Sequence, residues 1–214
     1  MTYKECVEKY LVQKREGDPI YTYEIAELLT TNFGMDKKKA AAAAAVTMKR
    51  IYEDDAIDDL RCYQKGIYYR TVNTPFGDMN INKEKVIEHK YLIDDKGYET
   101  GQWLLHYMGL TTQMPAKRVI ATNSAKDCIR YDKKLDVSIC PPKEPINADN
   151  KMYLQTLDAI ELLDKSPVDA EDPYKLIADH IKKHNLQYEK LLYYADKYYT
   201  RKTILHLAHT AGLR

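Results

Sequence analysis

Five basic side chains, Lys37, Lys38, Lys39, Lys49 and Arg50, fall in one stretch that contains no acidic residue. Clustered cations of this kind neutralise phosphates and release their counterions, so the chemistry they offer is polyanion binding. Arg61, Lys65, Tyr68 and Arg70 form a second group, on or beside a Gln64-Lys65-Gly66 turn signal. Each group alone is also what a solvated surface looks like. It is the two together, on adjoining elements, that point to nucleic acid.

Other reactive types are present without a pattern that uses them. His180 and His184 are spaced i, i+4, and His206 and His209 i, i+3, so each pair can share a helix face. Ile181 follows His180 where a metalloprotease helix needs an acid, and no metal site is assigned. Asp132 and Asp136, with Lys133 and Lys134, have the residue types of a nuclease carboxylate cluster but not the spacing of one. Cys6, Cys62, Cys128 and Cys140 include no Cys-x-x-Cys pair. Glycine-rich nucleotide loops and a serine nucleophile elbow are absent from the sequence. The expectation is a protein that is not an enzyme, with no catalytic residue, cofactor or metal.

The elements that must carry the basic residues follow from periodicity. Cys6, Val7, Tyr10 and Leu11 make one apolar stripe on a helix from about Thr2 to Lys14, which Gly17-Asp18-Pro19 stops. Ile20 and Tyr21 read as a short extended piece. Thr22 then reads as an N-cap for a helix over Glu24 to Leu29 that buries Ile25, Leu28 and Leu29. Asn32-Phe33-Gly34 turns the chain, and Asp36 caps a third helix running to about Tyr52. Ala40 to Ala45 give that helix strong propensity, and its inward stripe is Ala40, Ala44, Met48 and Ile51. Lys38, Ala42, Ala45 and Lys49 share its outward face, where alanine methyls are able to approach thymine methyls. Leu60 to Tyr63 and Ile67 to Arg70 are β-prone runs joined by the turn. Helix, short strand, helix, helix, hairpin is the order of a winged helix-turn-helix. In such a fold the N-terminus of the third helix enters the major groove and the hairpin lies along the backbone or reaches the minor groove.

Thr71 to Asn82, with Pro75 and Gly77, reads as a link between domains. Beyond it come a helix over Lys83 to Tyr91, a Gly97-to-Gly101 turn, a helix over Gln102 to Met108, and strands over Arg118 to Thr122 and Ile129 to Cys140. Helical spacing then returns after Pro141-Pro142, with helices from about Tyr174 to His184, Tyr188 to Lys197 and Thr200 to Ala211. The fold class is therefore α+β. Residues 1–75 are expected to be the winged helix-turn-helix DNA-binding domain. Residues 80–214 are expected to be a mixed α/β partner domain, with strands over about 118–140 and helices over about 150–211. Net charge is +1, and nineteen tyrosines against two phenylalanines favour half-wet surfaces. No apolar run is long enough for a membrane span, and Met1 to Cys6 lacks the plan of a secretion signal, so a cytoplasmic location without membrane association is expected.

Met48 to Arg70, ending in Lys65-Gly66-Ile67-Tyr68, resembles the winged-helix end of AbiEi-type antitoxins. A second match is Gly97-Tyr98-Glu99-Thr100-Gly101, then Gly109-Leu110-Thr111-Thr112-Gln113-Met114-Pro115, then Val119 to Asn123; the Gly-Leu-Thr-x-Gln-x-Pro part discriminates. The resemblance covers about residues 3–125. It implies an antitoxin and transcriptional autoregulator of a type IV toxin–antitoxin pair. Its implied partners are the double-stranded DNA of its own promoter, at inverted repeats, and functionally a nucleotidyltransferase-like toxin. The alanine-rich third helix and the acidic run Glu53 to Asp59 depart from the family. Two other readings use the same residues: a stand-alone winged-helix transcription factor with a ligand- or partner-binding second domain, and a protein-interaction module that does not bind DNA.

Overall fold

Thr2 starts the first helix, α1 (Tyr3–Gln13): its hydroxyl accepts from the Glu5 N–H while the Glu5 carboxylate accepts from the Thr2 N–H at 3.0 Å. This reciprocal capping box satisfies two of the donors that a helix start leaves open. The computed structural model describes residues 2–212, mixed α and β, in two units that divide between Val86 and Ile87. Among the described residues no helix is long and apolar enough to cross a membrane.

In the first unit α1 is followed by β1 (Ile20–Tyr21), α2 (Thr22–Phe33), α3 (Lys37–Glu53), β2 (Leu60–Gln64) and β3 (Ile67–Arg70). Thr22 is the first residue of α2 rather than its cap, which is Tyr21, and α2 runs on to Phe33. Gly34 ends it with φ 61°, a left-handed conformation that glycine adopts without strain, and Asp36 starts α3 two residues later. Ala40, Ala44, Met48 and Ile51 are fully buried along α3, the last two being its bulky contributions to the core. The two alanines allow α3 to lie close to α2. Strands order as β1-β3-β2, all antiparallel, with Ile20 opposite Tyr68 and Leu60 opposite Arg70.

Residues 71–82 are not a free link. They form a small hairpin, β4 (Asn73–Thr74) with β5 (Gly77–Asp78), because Pro75-Phe76 makes a turn and Gly77 has φ 103°. The hairpin is fastened to its own unit: Thr71 Oγ1 donates to Met79 O, Gly17 N to Arg70 O, and Asn82 N to Gly17 O. The division therefore falls later than the 75–80 read from composition.

The second unit begins in the chain at the end of α4 (Lys83–Ile87), which passes into a π-helical turn, Glu88–Leu92. Gly97 to Thr100 is a strand, β6, and not a turn. It pairs antiparallel with β7 (Arg118–Thr122), and a Cβ at Gly97 would meet Tyr91 O at 2.3 Å and Ala121 O at 2.6 Å. After α5 (Gly101–Tyr107), the stretch read as one strand is a hairpin, β8 (Arg130–Asp132) and β9 (Val137–Cys140). Asp132 Oδ1 accepts from Lys134 N and Leu135 N in its turn, and Asp136 takes φ 58°. The sheet order is β6-β7-β9-β8, with β7 and β9 parallel.

Against this sheet lies α6 (Lys151–Leu162), buried over most of its surface through Tyr153, Leu154, Leu157, Asp158 and Ile160. Three further helices surround it: α7 (Pro173–Lys183), α8 (Tyr188–Tyr198) and α9 (Arg201–Thr210). Asp158 is 9% exposed and accepts from Tyr98 Oη at 3.1 Å, Thr100 Oγ1 at 2.8 Å and Tyr199 Oη at 2.7 Å.

Burial raises the Asp158 pKa above its ordinary 3.8, outweighing the three donors and the nearby Lys143. The folded chain thus keeps a proton that the unfolded chain has lost, so this residue makes stability fall as pH rises above 3.8. Asp158→Asn should flatten that fall in urea unfolding midpoints taken at successive pH values. Asp158→Ala, which strands the Tyr98 and Thr100 hydroxyls, should cost about 2–4 kcal/mol. An unchanged pH slope in Asp158→Asn would show that the carboxyl does not titrate this way.

Candidate nucleic-acid interface

Helices α2 and α3, joined through Gly34-Met35-Asp36, present one face of α3 outward: Lys37, Lys38, Lys39, Ala41, Ala42, Ala45, Val46, Lys49 and Arg50 are all exposed. Asp36 Oδ2 accepts from Lys38 N at 3.1 Å and from Lys39 N at 3.5 Å. The first turn's N–H groups are therefore already served by a carboxylate. What remains for an outside anion is the three ammonium groups. Among the described residues no salt bridge of the first unit involves Lys37, Lys38, Lys39 or Lys65.

The acidic run behind α3 is largely occupied by pairs within the unit. Glu53 meets Lys49 at 3.5 Å, Asp54 meets Lys4 at 3.3 Å, and Asp59 meets Arg70 at 2.6 Å. The first two are exposed and contribute little to stability, yet they lower the net charge near the far end of α3. Lys49 is thus shared with Glu53, whereas Arg50 is exposed and at the last turn.

At the hairpin, two of the four expected residues turn inward. Side chains alternate along a strand, and directly opposed residues share a face. Leu60, Tyr68 and Arg70 are on the core side: Tyr68 is 9% exposed, with its ring 6.0 Å from that of Tyr52. The Arg70 guanidinium donates to Asp59 Oδ2 through Nε at 2.9 Å and Nη2 at 2.6 Å, and through Nη1 to Val12 O at 2.8 Å and Lys14 O at 3.1 Å. Both residues build the unit rather than its surface. Arg61 keeps the outward face with Tyr69 opposite it, although it also donates to Asp58 O at 2.8 Å and lies 3.5 Å from Asp78. Lys65, at the tip, is exposed. Phe76, at the tip of the β4–β5 hairpin, is fully exposed.

Elsewhere the residues with chemical potential are held in place by neighbours. Asp132 Oδ2 accepts from Lys90 Nζ and Tyr91 Oη, and Asp136 accepts from Tyr131 Oη, so the carboxylates near β8 serve their hairpin. His206 takes Tyr174 Oη at 2.8 Å on Nδ1 and lies 3.1 Å from Asp164 on Nε2. The His180 and His184 rings face each other at 4.4 Å. Among the described residues no group of three or more His, Cys, Asp or Glu is placed to hold a metal ion. The Gly109 to Pro115 stretch packs its own unit: Gly109 has φ 73° at the end of α5, Leu110 is fully buried, and Thr112 donates through N and Oγ1 to Asp169.

No family model matches the chain, and no curated protein matches it. Among solved structures, the crystal structure of the RV2827C protein from Mycobacterium tuberculosis aligns over 99% of this chain and 77% of its own, at 13% identity and a TM-score of 0.47.

Because Arg70 joins β3 to the end of α1, its loss should be felt as instability of the first unit. Arg70→Ala leaves two carbonyls and a carboxylate short of donors and should cost about 2 kcal/mol in urea unfolding. Lys65→Ala should fall within about 0.5 kcal/mol of the parent. Equal stability of the two variants would remove the structural role of Arg70.

Proposed function

We propose that the first unit is a winged helix-turn-helix that binds duplex DNA, and that the chain is a DNA-binding autoregulator and antitoxin of the AbiEi type. The observation that carries the DNA reading is the exposed face of α3, with three lysines at its start and small side chains behind them. α3 follows a three-residue turn from α2 and is itself followed in the chain by a hairpin tipped by Lys65. A helix bare of bulk can enter a major groove, and ammonium groups at its start would meet the phosphate walls. Arg50, Arg61 and Tyr69 extend the same reading; Tyr68 and Arg70 are left out of it. The antitoxin reading is supported by the Gly97-to-Asn123 resemblance, and the double-stranded DNA partner would be the chain's own promoter.

Replacing Lys37, Lys38 and Lys39 together by alanine keeps helix propensity and relieves cations from the positive end of the helix dipole, so the fold should be intact. Affinity for a promoter fragment should fall, and the slope of log K against log salt should drop by about 0.9 for each phosphate the variant no longer neutralises. Unchanged affinity and slope in the triple variant would sink the DNA reading. Co-expression with the gene beside it tests the antitoxin half: growth rescued from a nucleotidyltransferase-like toxin is the expected result, and no rescue by the intact chain would refute it.

A further inference from the structure

The second unit encloses a cavity of about 350 Å³ lined from β6, α5, α6 and α7, but Glu99 Oε2 and His180 Nε2 beside it are closed off from solvent and so from anything inside it. The open feature of this unit is the edge of its sheet. In the order β6-β7-β9-β8, the outer strand β8 pairs with β9 alone. One side of such a strand keeps its N–H and C=O groups free to pair with another chain. Ile129, just before the strand, is 71% exposed, Tyr131 within it is 48% exposed, and Arg130 between them is exposed. Open backbone beside large apolar side chains is what strand addition uses: the backbone supplies affinity and the side chains supply contact.

Charge narrows which chain the edge would accept. Lys126, Arg130 and Lys133, on or beside β8, are exposed, and the Lys117 ammonium lies 5.8 Å from the centre of the Tyr131 ring. Among the described residues no salt bridge of the second unit involves any of these four. The carboxylates of the hairpin are engaged: Asp132 accepts from Lys90 Nζ at 2.8 Å and Tyr91 Oη at 2.9 Å, and Asp136 accepts from Tyr131 Oη. Two copies of β8 laid side by side would set Arg130 and the lysines against their own kind, and charged side chains of this sort guard an edge against self-pairing. The same cations attract a strand that carries carboxylates. A phosphate backbone would also meet the cations, but it would leave the open backbone of β8 and the Ile129 side chain unused.

We propose that β8 is a docking edge for an extended acidic segment of a partner protein, which adds to the sheet as a further strand, sets its carboxylates against Lys126, Arg130 and Lys133, and lays apolar side chains on Ile129 and Tyr131. The site belongs to the second unit alone and does not rest on the DNA-binding reading.

The probe is a fluorescein-labelled peptide of about ten alternating glutamate and valine residues, long enough to span an edge strand, titrated into the full chain and read by anisotropy. Saturable binding that weakens with added salt is expected, together with slower amide exchange over Ile129 to Asp132. Lys126→Glu, Arg130→Glu and Lys133→Glu combined should weaken binding about tenfold or more, and because all three side chains are exposed the fold should be kept. The same change of net charge at exposed Lys182, Lys183 and Lys190 should leave affinity within about twofold. Of two peptides N-methylated on one or the other set of alternate residues, the one methylated toward β8 should not bind. The proposal is overturned if the peptide does not bind, if a lysine–valine peptide or both N-methylated peptides bind as tightly, or if the three reversals at β8 leave affinity unchanged. It is overturned equally if oligothymidylate binds through those three residues more tightly than the peptide, or if the parent sediments as a dimer that the reversals split.

Discussion

A carboxyl group taken out of water must be given hydrogen-bond partners, and Asp158 collects three from separate parts of the second unit. Tyr98 and Thr100 come from β6, and Tyr199 from the segment before α9. These bonds set the register of α6 on the sheet. Once that register is fixed, Gln155, one turn before Asp158, reaches the Glu99 carbonyl, and the cavity walls come from β6, α5, α6 and α7. The Tyr199 hydroxyl also donates to Leu154 O, and Lys143 sits 4.0 Å from the centre of its ring. A polar network at the middle of an otherwise apolar core thus decides which faces of the surrounding elements point inward.

The first unit meets a similar demand with a guanidinium. Arg70 is only 16% exposed in its side chain, and its donors go to a carboxylate and two carbonyls at the end of α1. It fastens the hairpin to the helices while Ala40 and Ala44 let α3 settle against α2. Arg70 is committed inward, whereas the lysines at the start of α3 and Lys65 at the hairpin tip stay on the surface, as do Lys4, Lys9 and Arg15 of the N-terminal segment. Of the acidic run, Asp59 is turned toward Arg70, whereas Glu53 stays beside Lys49.

The two units therefore differ in what they present. One presents exposed lysines on a helix with little bulk, the face on which the proposed DNA reading rests. The other encloses a cavity of about 350 Å³ with apolar and aromatic walls. In the Gly109-to-Pro115 motif, Leu110 is engaged in packing and Thr112 in holding Asp169, while Gln113 and Met114 are exposed.

Much of this was legible in the chain itself. The buried stripe Ala40, Ala44, Met48 and Ile51, the Asp36 cap and the hairpin turn at Lys65-Gly66 depend on neighbours within one or two turns, which a sequence states directly. The same holds for the helical periodicity of α6 to α9. Tertiary structure decided the rest. Tyr68 and Arg70 read as surface residues of a basic hairpin, but strand alternation places them with Leu60, and Asp59 with the α1 carbonyls holds the arginine there. Gly97 reads as a turn residue, yet it lies in a strand whose partner backbone leaves no room for a Cβ. Glu99 carries no signal of its own; its shielded oxygen exists because Arg118, nineteen residues away, takes the other one. Local order is encoded by propensity and period, whereas the burial of a charged or hydrogen-bonding atom is settled only when distant segments meet around it.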